Sequence, residues 1–352
     1  MIRRLLLSAW LLLLGGCSAL GHWSQAASGH LGIVRAAKPV SDWLADPATS
    51  ADLAERLRLT QQMRDYASSR LALPENNSYR RYADLKRPAA VWNVIAAPEF
   101  GFGLKTWCYP IMGCAGYQGW FDLDAAKRHA EALKVEGWEV QVQAIPAYST
   151  LGWSRLLGGD PLLNTFIRYA EGELAAMIFH ELAHQRVYVS DDTGFNEAYA
   201  SAVELIGARQ WLGDKPEALA AFEAGRERRA AFLKLAREGR DRLQAVYDGP
   251  AAQRAAGKAA VLAELRARAT KEAPGYEAWF QRANNASFAI LSAYSDLVPA
   301  FERLFEREGR EWTRFHAAVE KLAPLPREER RATLKGQGGL ADEAHPATSQ
   351  AR

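Results

Sequence analysis

The chain has 352 residues, 44 basic against 41 acidic, a formal charge of +3, 49% hydrophobic residues and three cysteines. Its length exceeds the usual single-domain range of about 100–200 residues, so two sub-domains or one large core are expected. The ordinary hydrophobic share excludes wholesale disorder, a collagen-like chain and a polytopic membrane protein, and near-balanced charge argues against a nucleic-acid binder, which concentrates basic surface. Three cysteines cannot all pair within one chain, so at least one needs another use.

Arg3 and Arg4 precede an apolar run over Leu5–Leu14 that closes on Gly15, Gly16 and Cys17. Basic start, apolar run of about ten residues and small residues at the end are the parts of a secretory signal peptide over residues 1–16. The run is too short to span a membrane, which takes about 20 residues. Leu14-Gly15-Gly16-Cys17 resembles a bacterial lipobox, which implies a lipid on Cys17, the first residue of the mature chain, and attachment to a membrane through that lipid. Ser18, where an aspartate would signal retention, implies sorting to the periplasmic face of the outer membrane. Removing residues 1–16 takes away both arginines and no acid, leaving a charge of +1. Residues 17–45 then read as lipidated N-terminus and tether, polar and rich in Gly, Ala and Ser over 18–40.

Residues 50–72 carry an amphipathic helical pattern, with Leu53 and Leu57 among charges, and Pro74 through Tyr79 stops it. Residues 91–96, 117–121 and 138–145 read as strands, the last by its alternation. Between the latter two, a helix over 124–137 starts at Asp122 or Asp124 and stops at a glycine. Cys108 and Cys114 form a close pair that an oxidising compartment would join as a disulfide, worth about 2–3 kcal/mol by restricting the unfolded chain. A zinc thiolate site would need a second pair, and the chain has none. After about residue 160 strand signals vanish. Residues 222–247 and 251–271 read as a long helical hairpin around Asp248-Gly249-Pro250, and residues 335–352 as a disordered tail.

The chemistry concentrates at residues 177–204. His180-Glu181-Leu182-Ala183-His184 is an HExxH pattern in an apolar helical segment. At 3.6 residues per turn, His180 and His184 project from one face and can grip one metal ion, with Glu181 beside them as a base toward water. Two imidazoles leave room on zinc for a third protein ligand and a water, the open coordination of a catalytic site. A second helix, capped by Asp191, Asp192 or Thr193, carries Glu197 and Glu204 seven positions apart on one face. Either could approach the histidines as the third ligand. Glu204 is the alternate ligand, an orienting carboxylate for a histidine, or a solvated charge.

An Asn-Glu pair opening a helix after HExxH resembles the glutamate-ligand zincins. Together with residues 147–153, Asn284-Asn285-Ala286, Leu297 to Phe301, Trp107 to Cys114 and Tyr117 to Asp122, it resembles a family of zinc aminopeptidase lipoproteins of Gram-negative bacteria, over about residues 30 to 325. The resemblance implies an α+β, mostly helical, zincin-like fold across residues 46–334, β-containing to about 160 and helical after. It implies one zinc ion per chain on His180, His184 and Glu197, a peptide substrate and Glu181 as general base. Such enzymes also supply a phenol or imidazole to the developing oxyanion. Tyr294 is the candidate, with Tyr188 and Tyr199 as alternatives, and core packing is the competing reading. Residues 141–148 sit in the chain position of the strand that aligns substrate. The tryptophans at 107, 120 and 153 are candidates for cleft or core.

A reading from another class stays open: a non-catalytic periplasmic lipoprotein that binds peptides or envelope-assembly partners, with zinc holding the fold. That reading needs a fourth protein ligand, and His129, His316 and His345 lie far from the motif in the chain. Substrate identity, exo- or endo-cleavage and oligomeric state are not written in the sequence.

Overall fold

In the computed structural model, residues 22, 25–109, 113–147, 159–190, 192–291 and 297–336 are described. The stretch expected as tether is structured from residue 25: residues 25–36 form helix α1, followed by β1 (Lys38–Pro39) and α2 (Val40–Ala45). Ile33, Ala37 and Val40 are buried. These apolar groups, from α1, the junction after it and the start of α2, anchor a segment whose polar composition suggested no anchor. Gln25 ties it further, donating to the Gly119 carbonyl and accepting from the Phe121 amide.

Ser50 accepts a hydrogen bond from the Leu53 amide and opens α3 (Ala51–Ser69), satisfying an N–H that the helix itself cannot. The β-containing part follows: β2 (Arg81–Ala83), β3 (Val91–Pro98), β4 (Trp107–Tyr109), β5 (Gly113–Ala115), β6 (Gln118–Trp120), α4 (Leu123–Val135), β7 (Trp138–Ile145) and β8 (Leu162–Leu163). Strands β6, β3 and β7 form an antiparallel sheet with β3 in the centre, Val94 lying opposite Gln118 and Val142. Asp122 caps α4 through the Ala125 amide, and Gly137 ends it at φ +89°, a conformation that a Cβ would strain. Ala126, Ala130 and Leu133 of α4 pack on Trp92, Val94 and Ala96, with Trp107 and Trp120 against the same cluster. The two tryptophans are therefore packing groups of this sheet; Trp153 lies outside the described residues. In β4 and β5, Cys108 faces Cys114 across the ladder, and the two form a disulfide. A third small sheet has the order β1-β2-β8, so β8, two residues long and without a readable pattern, is one strand beyond residue 160.

Helices make up the rest: α5 (Glu171–Arg186), α6 (Thr193–Trp211), α7 (Pro216–Asp248), α8 (Ala251–Glu272), α9 (Glu277–Arg282), α10 (Asn285–Leu291), α11 (Val298–Arg307), α12 (Trp312–Leu322) and α13 (Arg327–Leu334). The architecture is α+β and mostly helical. Helices α5 and α6 pack closely because two positions lack side chains. A Cβ on Gly207 would come within 2.8 Å of Leu71 Cδ1 and 3.0 Å of Phe179, and one on Gly172 within 2.8 Å of Leu212 Cδ1. Leu174, Ile178, Phe179 and Leu182 of α5 and Phe195, Tyr199 and Val203 of α6 sit in the main core. Phe232, Leu243, Val261 and Leu265 form a second core inside the α7–α8 hairpin. Among the described residues, no helix is long and apolar enough to cross a membrane.

Candidate metal centre

Glu171 and Glu173 occupy the first turn of α5, while His184 and Arg186 lie in its last, a charge order that complements the helix dipole. Apolar side chains bury one face, leaving His180 and Glu181 on the side that lines a cavity. The chain leaves α5 at Val187 and enters α6 after Asp192. Asn196, itself buried, brackets Val189: its Oδ1 accepts from the Val189 amide at 2.8 Å and its Nδ2 donates to the Val189 carbonyl at 2.6 Å. This is the physical use of the asparagine in the Asn-Glu pair, since it fixes how α6 follows α5. Asp192 caps α6 through the Phe195 amide and is held by Arg330 at 3.0 Å and Arg331 at 2.5 Å from α13.

The outcome is a convergence of three ligand atoms. His180 Nε2 and His184 Nε2 lie 3.1 Å apart, and the Glu197 oxygens reach each of them at 3.5 Å. Bonds of about 2.0–2.1 Å from one zinc ion would separate tetrahedral ligand atoms by roughly 3.3 Å, so this donor set fits the ion. His180 Nδ1 donates to Glu204 Oε2 at 2.8 Å, which leaves Nε2 with its lone pair turned to the site, the usual role of a supporting carboxylate. Arg226 in turn donates to Glu204 Oε1 at 3.2 Å. Of the two acids left open by the sequence, Glu197 faces the imidazole pair and Glu204 stands behind one ring. Among the described residues, no fourth His, Cys, Asp or Glu joins the group.

Protonation follows from burial and these partners. Burial pushes the His184 imidazole down to about 4, and the neighbouring His180 adds to the effect. In His180, burial acts the same way but is outweighed by hydrogen bonds to Glu197 and Glu204, which hold the ring well above the ordinary imidazole range. Burial acts to raise the Glu197 carboxyl, and the hydrogen bond to His180 overcomes it and holds the group down. Two carboxylates beside the imidazole pair thus favour positive charge at this place, the electrostatic setting in which a bound divalent ion would compete with a proton.

The site's supports come from far away in the chain. Buried Arg64 of α3 donates to the carbonyls of Ser78 at 3.0 Å, Pro74 at 2.6 Å and Asn76 at 3.1 Å. The loop so fixed grips α5 one residue past the motif, where Asn76 Nδ2 donates to Gln185 Oε1 at 2.9 Å. Tyr79 from the same loop is buried at φ +64°, and its phenol is pushed up by burial and by the Glu181 carboxylate. Tyr117, in the turn between β5 and β6, is raised by burial and then by Glu197, Tyr188 and Glu181. It is 41% exposed and is not among the residues lining the cavity against the metal group. Tyr188 is 49% exposed and also senses Glu197. Tyr199 points into the core and donates to His316 Nδ1 at 2.8 Å, so it is a packing residue, and His316 is occupied there. His129 lies among Trp107 and Trp120. Tyr294, His345 and Tyr148 lie outside the described residues. Of the residues 141–148 expected as the substrate-aligning strand, those to Ile145 belong to β7, paired with β3 at the edge of its sheet.

The cavity against the metal group has a volume of about 680 Å³ and is walled by α5, α6 and α7. His180, Glu181, Glu197 and Glu204 line this cavity, with His184 buried behind them. The family model described as "putative aminopeptidase" matches residues 21–334, and the chain belongs to that family. No curated protein and no solved structure matches the chain.

Proposed function

We propose that the protein is a zinc-dependent peptidase of zincin-like type, one zinc ion per chain, acting as an aminopeptidase. The observation that carries this reading is the convergence of His180 Nε2, His184 Nε2 and Glu197 at 3.1 and 3.5 Å, with Glu181 lining the same cavity. A bound zinc ion supplies a Lewis acid that polarises the scissile carbonyl and lowers the pKa of water. Glu181 takes a proton from the attacking water and returns it to the leaving amine nitrogen. Glu204 keeps His180 in the tautomer that offers Nε2, and Arg226 holds Glu204. The described phenols that line the cavity are those of Tyr169 and Tyr276, and Tyr117 is influenced by both Glu181 and Glu197; these are the candidates to donate to the developing oxyanion. A three-residue donor set leaves a coordination position open, which favours catalysis over a closed structural site.

The Cys108–Cys114 disulfide suits an oxidising compartment. Together with the lipobox it supports a lipid anchor on Cys17 and residence on the periplasmic face of the outer membrane. The test uses a soluble Cys17→Ser form: zinc per chain is measured, then hydrolysis of peptides with free and acetylated N-termini, before and after Glu181→Gln. One zinc per chain and loss of hydrolysis with metal retained in Glu181→Gln are expected. Hydrolysis that survives the substitution would sink the mechanism, and equal cleavage of acetylated peptides would sink the exopeptidase assignment.

A further inference from the structure

The wall of the cavity opposite the metal group is basic. Phe222, Arg226, Arg229, Leu233 and Arg237 of α7 line it, spaced at three, four and eight residues so that they share one helix face. The carboxylates of the lining are Glu173, Glu181, Glu197 and Glu204, against these three arginines. Among the described lining residues, four carboxylates stand against three guanidinium groups, so one added divalent ion turns that balance positive. Cations gathered beside a cation-binding site repel one another unless an anion completes the arrangement. Arg226 is already matched by Glu204 at 3.2 Å. Arg229 is half-buried and makes no ion pair with another described residue, while its planar fork is shaped to take a carboxylate through two parallel hydrogen bonds.

We propose that the basic face of α7 in the metal cleft binds a carboxylate of the substrate, so that the preferred substrates are short acidic peptides. This rests on the peptidase reading above and adds to it the class of peptide accepted. At 1.5 Å per residue, Arg229 stands about 4.5 Å along the helix axis from Arg226, and Arg237 about 16.5 Å. An extended peptide advances about 3.3 Å per residue. The stripe therefore covers roughly five residues running away from the metal end, and the anion lies within that distance of the scissile bond. The carboxylate belongs to an acidic side chain or to the free C-terminus of a short peptide; the chemistry of recognition is the same.

The test is calorimetric binding to the full chain carrying Glu181→Gln, so that no turnover intervenes. The probes are a pentapeptide with glutamate at its third position, its glutamine counterpart, and the C-terminally amidated form of each. Tighter binding of the glutamate form by about tenfold or more assigns the side chain, and the same margin for free acid over amide assigns the terminus. Arg229→Gln is expected to abolish the preference and Arg229→Lys to weaken it, while Arg228→Gln, outside the cavity lining, keeps it. Equal binding of all four peptides overturns the proposal, as does a preference that survives both Arg229→Gln and Arg237→Gln or is lost equally in Arg228→Gln. If the preference is present but the zinc-loaded wild-type chain cleaves none of the peptides, the hydrolytic reading fails and the substrate assignment with it, while the carboxylate subsite on α7 is retained as a peptide-binding site.

Discussion

At the scale of single residues, the two glutamates of α6 do different work, and the difference is measurable. Glu197 faces both Nε2 atoms, so Glu197→Gln removes a donor and is expected to abolish stable zinc binding. Glu204→Gln removes only the support behind His180 and is expected to weaken zinc about 10–100-fold; competition against a chelator of known affinity separates the two. His316 provides a second case. It is fully buried, accepts from Tyr199 and donates to the Leu71 carbonyl at 2.9 Å, and burial pushes it down to about 4. Its folded value lies below the ordinary 6.5, so between these pH values the unfolded chain binds a proton that the fold excludes. Its contribution is complete above about pH 6.5 and is lost as pH falls toward 4, about 3 kcal/mol in all. Urea midpoints at pH 5 and 7 should differ in the wild type and differ less in His316→Gln.

At the scale of elements, α6 is aimed by its two ends of contact with the rest of the chain. Asn196 fixes the passage from α5, and Asp192 is clamped by α13, with Arg330 buried against it. Asp192→Ala removes the acid that Arg330, Arg331 and the Phe195 amide share, and removing one partner of a buried pair costs about 3–5 kcal/mol. A fall of this size in unfolding free energy, together with weaker zinc binding, is the expected result. The start of α6 at Asp192 was legible because a carboxylate before a helical run accepts the orphan amides of the first turn. The clamp was not, because Arg330 and Arg331 lie far along the chain and a surface helix of that charge reads equally well as solvated. The α7–α8 hairpin was similarly plain from its Asp-Gly-Pro break, yet nothing in its pattern says that α7 walls the metal cleft.

At the scale of the whole molecule, His180, His184 and Glu197 join α5 to α6, whose apolar faces lie in the main core, so zinc bound as proposed should stabilise the fold. Free zinc at about 100 times its dissociation constant would add about 2.7 kcal/mol. Thermal unfolding with and without a chelator should show a midpoint that rises with zinc and does so less in Glu197→Gln. The His180-Glu181-His184 face is decided within one helical turn, because residues four apart on a helix meet whatever surrounds them. The same holds for the caps and for the cysteine pair, six residues apart and joined across one hairpin. What required the folded chain is everything brought to that face from a distance: the choice between Glu197 and Glu204, the Arg64-braced loop and the arginines of α7. Those placements depend on how cores pack over long chain separations, and spacing within a segment carries no record of them.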